Sequence, residues 1–273
     1  MSSTQSHLVN LTSKKSFISI KLFMNYPHKL YVLVVFLLFF TTTGSWGQSL
    51  IVGIPSADVA EKNHLEITHE TQWNFWQKPN KWNSFNFACF GLGNGTELTA
   101  TFNNLTNTNG NNLALGLGFK KVFSLGVLPK NMESKFIVGG NALYGVSRQN
   151  TGFWAYAMGS VRMPKTQTRF TAGFTHGQSQ TFGFRQQIMN NVIGETPNNI
   201  TTFIGGIEQP LGRNISLIAD WYAGTHDLAA LIPALQIDVG HHVIILGYKL
   251  PNNATSGHKA LILECMFSIP TKK

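Results

Sequence analysis

From His64 onward, apolar and polar positions alternate with a period of two. In HLEITHETQW (His64 to Trp73), Leu65, Ile67 and Trp73 fall on one side of the alternation and Glu66, Thr68, Glu70 and Gln72 on the other. A helix would place apolar residues three and four apart, where this stretch is polar, so the pattern predicts a strand. The same alternation returns along the chain. Leu98, Ala100 and Phe102 oppose Glu97, Thr99 and Thr101, and Leu113, Leu115, Leu117 and Phe119 oppose Asn112, Ala114, Gly116, Gly118 and Lys120. Phe170, Ala172 and Phe174 oppose Arg169, Thr171 and Gly173; Phe203, Gly205 and Ile207 oppose Thr202, Ile204, Gly206 and Glu208. Ile215, Leu217, Ala219 and Trp221 oppose Ser216, Ile218, Asp220 and Tyr222, and a last run sets Leu261, Leu263, Cys265 and Phe267 against Glu264. Successive strand side chains point to opposite faces, so each run has two faces of different character.

Turn signals separate the runs: Asn94-Gly95, the Asn-rich 106–112, Pro129 to Glu133, Pro164-Lys165, Gly194 to Asn199, Pro210 to Arg213 and Pro251 to Gly257. Between them lie about twelve strands of roughly ten residues, the length a tilted transmembrane strand requires (~9–11) and longer than the ~5–6 usual in soluble sheets. Helical periodicity is nearly absent after Gln48. The expected fold is therefore all-β, a closed antiparallel transmembrane β-barrel of about 12 strands. A two-layer soluble sandwich is the alternative. The polar faces favour the barrel, because they carry Gly, Ala, Thr, Asn and Gln with single charges, which suit a crowded interior. Trp73, Phe85, Phe102, Phe119, Tyr144, Phe153 and Trp221, near strand ends, are candidates for aromatic girdles at the lipid interfaces.

Composition agrees with this reading. Only 12% of residues are charged, against about 25% in a typical soluble protein. The net charge of +9 is inflated by the N-terminus, where Lys14, Lys15, Lys21 and Lys29 precede the first acidic residue, Asp58. The remaining basic residues form no stripe, and no nucleic-acid partner is expected. Leu30 to Phe40 (LYVLVVFLLFF) is an apolar run preceded by Lys29 and followed by small residues. It is too short for the roughly 20 residues of a spanning helix and reads as a signal-peptide core, with cleavage near Gly47 and Gln48. Met1 and Met24 are both candidate starts. The expected organisation is an N-terminal extension and signal peptide over 1–47, a periplasmic segment over 48–62, and the barrel over 63–273.

Parity assigns the two surfaces. Leu65, Ile67, Trp73, Leu98, Phe102, Leu115, Leu117, Phe174, Leu217, Trp221, Leu263 and Phe267 are the lipid-facing candidates. Glu66, Glu70, Arg169, Arg185, Glu208, Asp220, Tyr222 and Glu264 are the lumen-facing ones. Ions inside a barrel are costly unless paired or hydrated, which leaves two expectations for the interior, a plug of Asp/Glu to Arg pairs or a wet channel whose charges set selectivity. No GxSxG, HExxH, P-loop, paired CxxC or dinucleotide fingerprint occurs. No catalytic residue, metal site or cofactor is expected; His226, His241, His242 and His258 have poor ligand spacing. Cys89 and Cys265 either pair in an oxidising compartment or stand as two small apolar side chains.

Signal peptide, alternating ten-residue strands, Asn/Gly-rich loops and a terminal strand containing Phe267 together resemble the outer-membrane β-barrel proteins of Gram-negative bacteria. Within that class, IPSADVAEKNHLEITHE (Ile54 to Glu70) and LIADWYAGTH (Leu217 to His226) resemble segments of uncharacterised bacterial barrels in which an Ile-Pro-x-Ala-Asp-Val lead-in precedes the first strand. The resemblance implies outer-membrane lipid and the barrel-assembly machinery as partners, and a porin-like passage or binding of small solutes. Outer-membrane barrels usually end on an aromatic residue, whereas this sequence continues past Phe267 to Lys273. Two other classes stay open: a soluble exported sandwich that binds a ligand or partner, and a barrel enzyme acting on lipids through His226, His242 and Ser256.

Overall fold

The structure is a computed structural model, which describes residues 50–271 apart from 77–80, 104–112, 130–131, 147–149, 180, 182–187, 190–191, 194–198 and 254–257. The leader and the turn signals at 106–112 and 194–198 lie outside the described residues.

Twelve strands close into an antiparallel barrel. They are β1 (His64–Asn74), β2 (Lys81–Gly93), β3 (Thr96–Asn103), β4 (Ala114–Leu125), β5 (Glu133–Gly145), β6 (Asn150–Arg162), β7 (Arg169–Gln178), β10 (Asn199–Pro210), β11 (Ile215–Tyr222), β12 (Ala230–Val239), β13 (His242–Pro251) and β14 (Ala260–Pro270). Two-residue strands β8 (Ile188–Met189) and β9 (Val192–Ile193) pair with each other between β7 and β10. Each barrel strand pairs with its sequence neighbour in the barrel, and β1 pairs with β14 from His64↔Pro270 to Trp73↔Leu261, which closes the ring. Closure removes the unpaired edges that an open sheet would expose, and it rules out the sandwich.

The connections sort by end. At one end lie the described turns 94–95, 163–168, 211–214 and 240–241, together with the start of β1 and the finish of β14. At the other, where the longer connections run in sequence, lie the described connection 223–229 and the finishes of β1, β3, β5, β7, β11 and β13. The two-residue turn between β2 and β3 has positive φ at Gly93, Asn94 and Gly95, which Gly and Asn accept most readily.

Alternation divides the wall cleanly. The outward side carries Leu117 (73% exposed), Phe174 (60%), Leu98 (50%) and Leu217 (49%), with Ile67, Phe102, Leu115, Trp221 and Phe267 also exposed. By register, Leu65, Trp73 and Leu263 share that side. Aromatic contacts gather towards the ends. Trp73, Phe75, Trp76 and Tyr248 form a chain of ring contacts at the long-loop end, and the Trp221 indole donates to Asn252 Oδ1 at 3.0 Å. Phe123 with Phe136 and His242 with Phe267 lie towards the other end. Phe85 departs from expectation. It pairs with the inward Glu70 and faces inside, because the β1–β2 register fixes its parity whatever its hydrophobicity.

Polar residues that fall on the outward side are bonded to one another. His69 Nδ1 lies 2.7 Å from Asn86 Oδ1 and its Nε2 lies 2.9 Å from Thr71 Oγ1, while Asn86 Nδ2 donates to the Phe102 carbonyl. Cys89 and Cys265 form no disulfide. Cys89 pairs with the inward Glu66 and Cys265 with the outward His69, so the barrel wall separates them.

Candidate functional site

The segment preceding β1 turns into the barrel over its described residues, 50–62. Leu50 bridges Pro55 and the Ile51 amide donates to the Ile54 carbonyl at 2.9 Å, which makes a tight hairpin with Val52 and Gly53 at its tip. Ile51, Val52 and Ile54 are at most 1% exposed. They pack into one apolar cluster with inward residues of the wall, among them Ile204, Ile218, Tyr222, Ile232 and Ile245. The expected interior of small polar residues is thus only part of the picture. Large aliphatic side chains face inward wherever the hairpin supplies a partner to bury them against.

The tip is seated on one carboxylate. Asp220 Oδ2 accepts the amides of Val52 (3.2 Å), Gly53 (2.5 Å) and Ile54 (3.1 Å), and Tyr222 Oη donates to the Gly53 carbonyl at 3.1 Å. Three amides converging on one oxygen form a backbone nest, a geometry suited to an anion. Asp220 is 1% exposed and Tyr222 5%. A buried carboxylate is costly unless its charge is met by donors, and here the hairpin itself provides them.

Further towards the short-turn end the segment is held by ion pairs. Arg169 Nη1 meets Asp58 Oδ2 at 2.6 Å and its other nitrogens bind Glu208. Lys135 Nζ lies 3.3 Å from Asp58 Oδ1. Lys120 donates to the Asp58 carbonyl and pairs with Glu97 at 3.2 Å, and Glu97 Oε2 accepts the Ala60 amide at 2.8 Å. Burial alone would raise the Asp58 carboxyl, but Arg169 and then Lys135 hold it below its ordinary value of 3.8. Backbone passes close to the wall at Gly91, where an added Cβ would lie 1.9 Å from the Glu61 carbonyl oxygen. A cleft of about 610 Å³ remains between the segment and the wall at this mouth, bordered by Ala57, Asp58, Lys121, Phe123 and Lys135.

The inward residues singled out by parity fall into groups. Arg169 and Glu208 meet through the Asp58 ion pair, and Asp220 and Tyr222 meet through the hairpin tip. Glu70 and Glu264 sit directly opposite each other on β1 and β14, both at most 4% exposed. Glu66, 2% exposed, lies nearer the short-turn end, and Arg185 lies outside the described residues. Glu97, Lys120, Lys135 and Lys249 also face inward and were not singled out. Their parity was readable, Glu97 and Lys120 standing on the small-residue faces of β3 and β4, but nothing local shows that they grip another segment.

The histidines do not converge. His226 lies in the long-loop connection 223–229, where burial lowers its imidazole to about 4, while His241 and His242 lie at the short-turn end. His258 belongs with the long loops, and Ser256 lies outside the described residues. Among the described residues no group of three or more His, Cys, Asp or Glu side chains is placed to hold a metal.

Neither a protein-family model nor a curated protein matches the sequence. Solved structures similar to it include a KdgM porin in complex with disordered oligogalacturonate, at 9% identity over 76% of this chain and 99% of that chain, with TM-score 0.47. Others are the outer membrane protein Omp33 of Acinetobacter baumannii (8% identity, 76% and 99% covered, TM-score 0.41) and the toluene transporter TbuX of Ralstonia pickettii (7%, 77% and 89%, TM-score 0.38). These are distant likenesses, and the barrel architecture rests on the strand pairing itself.

Proposed function

We propose that this chain is an integral outer-membrane β-barrel of a Gram-negative bacterium, exported by its leader and folded by the barrel-assembly machinery, that serves passage of small solutes and is closed by its own N-terminal hairpin. The observation that carries the reading is the division of the closed wall. Its outer side offers Leu, Ile, Phe and Trp to the surroundings at strand after strand, a surface suited to lipid and unsuited to water. Short turns and both barrel termini share one end, the arrangement outer-membrane barrels have at their periplasmic side. The interior holds a discrete plug joined to the wall by ion pairs and one carboxylate seat, in place of side chains from the wall alone. A lumen filled by a separable segment fits a passage better than a solid scaffold.

Passage is favoured over catalysis on lipids because His226 and His242, the histidines of that alternative, stand at opposite ends of the barrel. Liposome swelling tests the passage reading. Proteoliposomes of the whole chain should admit small sugars slowly, and those carrying Asp220→Ala should admit them faster. Equal swelling to protein-free liposomes in both would remove the passage role.

A further inference from the structure

The geometry points to a solute site beneath the plug: the Asp220 seat, once the hairpin leaves it, takes a small organic cation with an apolar body, such as a primary alkylammonium. This rests on the reading of the lumen as a passage that the hairpin vacates. The hairpin reports what the seat recognises. It brings three N–H donors to Asp220 Oδ2, one acceptor to the Tyr222 hydroxyl, and aliphatic side chains to the wall. The other oxygen, Asp220 Oδ1, is buried with no hydrogen-bond partner among the described residues, so the carboxylate keeps accepting capacity even with the hairpin in place.

Removing the hairpin takes all three of those donors from a carboxylate that stands in an apolar wall. The Gly53 backbone is surrounded by Asp220 Oδ2, Ile232 Cδ1 and Tyr222 Cε2, each within 4.0 Å of where a Cβ would point, and these are the walls an incoming solute would meet. Water alone would occupy that space poorly on its Ile side. An ammonium group would restore N–H donors and add a positive charge, while its alkyl chain would cover Ile204, Ile218 and Ile232 in place of Ile51 and Ile54.

The charges nearby favour the same sign. Glu70 is in electrostatic reach of Asp220, and the cation bearing on both is Lys249. The Lys249 ammonium donates to the Asp227 carbonyl at 3.0 Å, towards the long loops. A carboxylate-bearing solute would meet Asp220 and Glu70 as like charges in a low-dielectric wall and be rejected. A neutral alcohol would gain the apolar contacts without the charge.

The test folds the whole chain with a protease site in place of Lys62, cuts it afterwards, and follows release of the severed segment from the detergent-held barrel. Hexylammonium, hexanol and hexanoate are titrated in turn. The hexylammonium concentration for half-release should be at least ten-fold below those of the other two. In Asp220→Asn, which keeps the shape and removes the charge, hexylammonium and hexanol should release the segment at equal concentrations. Equal potency of the three solutes in the otherwise native chain would overturn the proposal without needing the variant to fold. A ten-fold preference that survives Asp220→Asn would overturn it also. Bilayer current through the cut barrel is recorded separately, so a barrel that binds the amine yet never conducts fails as a passage and not as a site.

Discussion

At the scale of single residues, Asp220 is the position on which the seating of the hairpin turns. Truncating it to Ala strands three buried backbone amides, each costing about 1–3 kcal/mol when left without an acceptor. Asp220→Ala should therefore expose segment 50–62 to added protease at a rate at least ten-fold above that of the native chain, with the barrel still resisting SDS until boiled. Glycines next to the plug give a graded comparison. A methyl at Gly91 would press on the rigid Glu61 backbone, whereas the nearest atoms to one at Gly206 are the Cδ1 atoms of Ile51 (2.7 Å) and Ile54 (3.0 Å), flexible ends that can turn away, with the Ala219 carbonyl oxygen further off at 3.2 Å. Gly91→Ala should loosen the segment in the same protease assay and Gly206→Ala should change it little. Asp58 adds a pH dependence with a fixed sign. Its carboxyl is held below 3.8, so the grip of Arg169 and Lys135 is complete above that value and is lost as pH falls through the lowered one. The Asp58 contribution to plug protection should be lost only below about 3.8, and Asp58→Asn should lack it at every pH.

At the scale of the strands, alternation carries most of the information, and the proposed lipid-facing surface carries a measurable energetic cost. Leu115→Arg or Leu217→Arg should cost ~2–4 kcal/mol of folding stability in a bilayer if the residue lies near its midplane. Urea titration in vesicles reads this directly, and a cost near zero at both positions would mean that this face does not meet lipid. The strand faces were legible from His64 to Phe267 because one side of each run is apolar and the other polar, and a one-residue slip would invert both. Phe85 escaped because an aromatic residue near a strand end was read as a girdle, whereas register with Glu70 decides its side. Inward Ile204, Ile218 and Ile245 were equally opaque, since their burial partner is not a strand. That partner lay in a stretch with no periodicity at all. The segments IPSADVAEKNHLEITHE and LIADWYAGTH turn out to touch, the Ile54 amide of the first donating to Asp220 of the second. Sequence reading set them side by side as resemblances, but a contact spanning more than 160 residues leaves no local signature.

For the whole molecule, the closed ring and the lodged hairpin make opposite demands on the interior. The ring needs filling, which the apolar tip and the ion pairs supply; passage needs that filling to leave. On the proposed passage role, segment 50–62 reconciles them, joined to β1 at Lys62-Asn63 and held in the lumen by contacts that can be broken one by one. Gel mobility of the folded protein should therefore change on boiling both before and after the segment is cut away, because the strand ladder and not the plug closes the ring.

The most direct measurement is the current through single barrels in a planar bilayer, recorded on the whole chain and again after proteolytic removal of the segment at residue 62. The barrel should be closed for most of the recording when whole and should show stable, larger conductance steps once the segment is removed. Identical currents before and after removal would contradict it, and would mean that the hairpin is a structural filling of the barrel and not its closure.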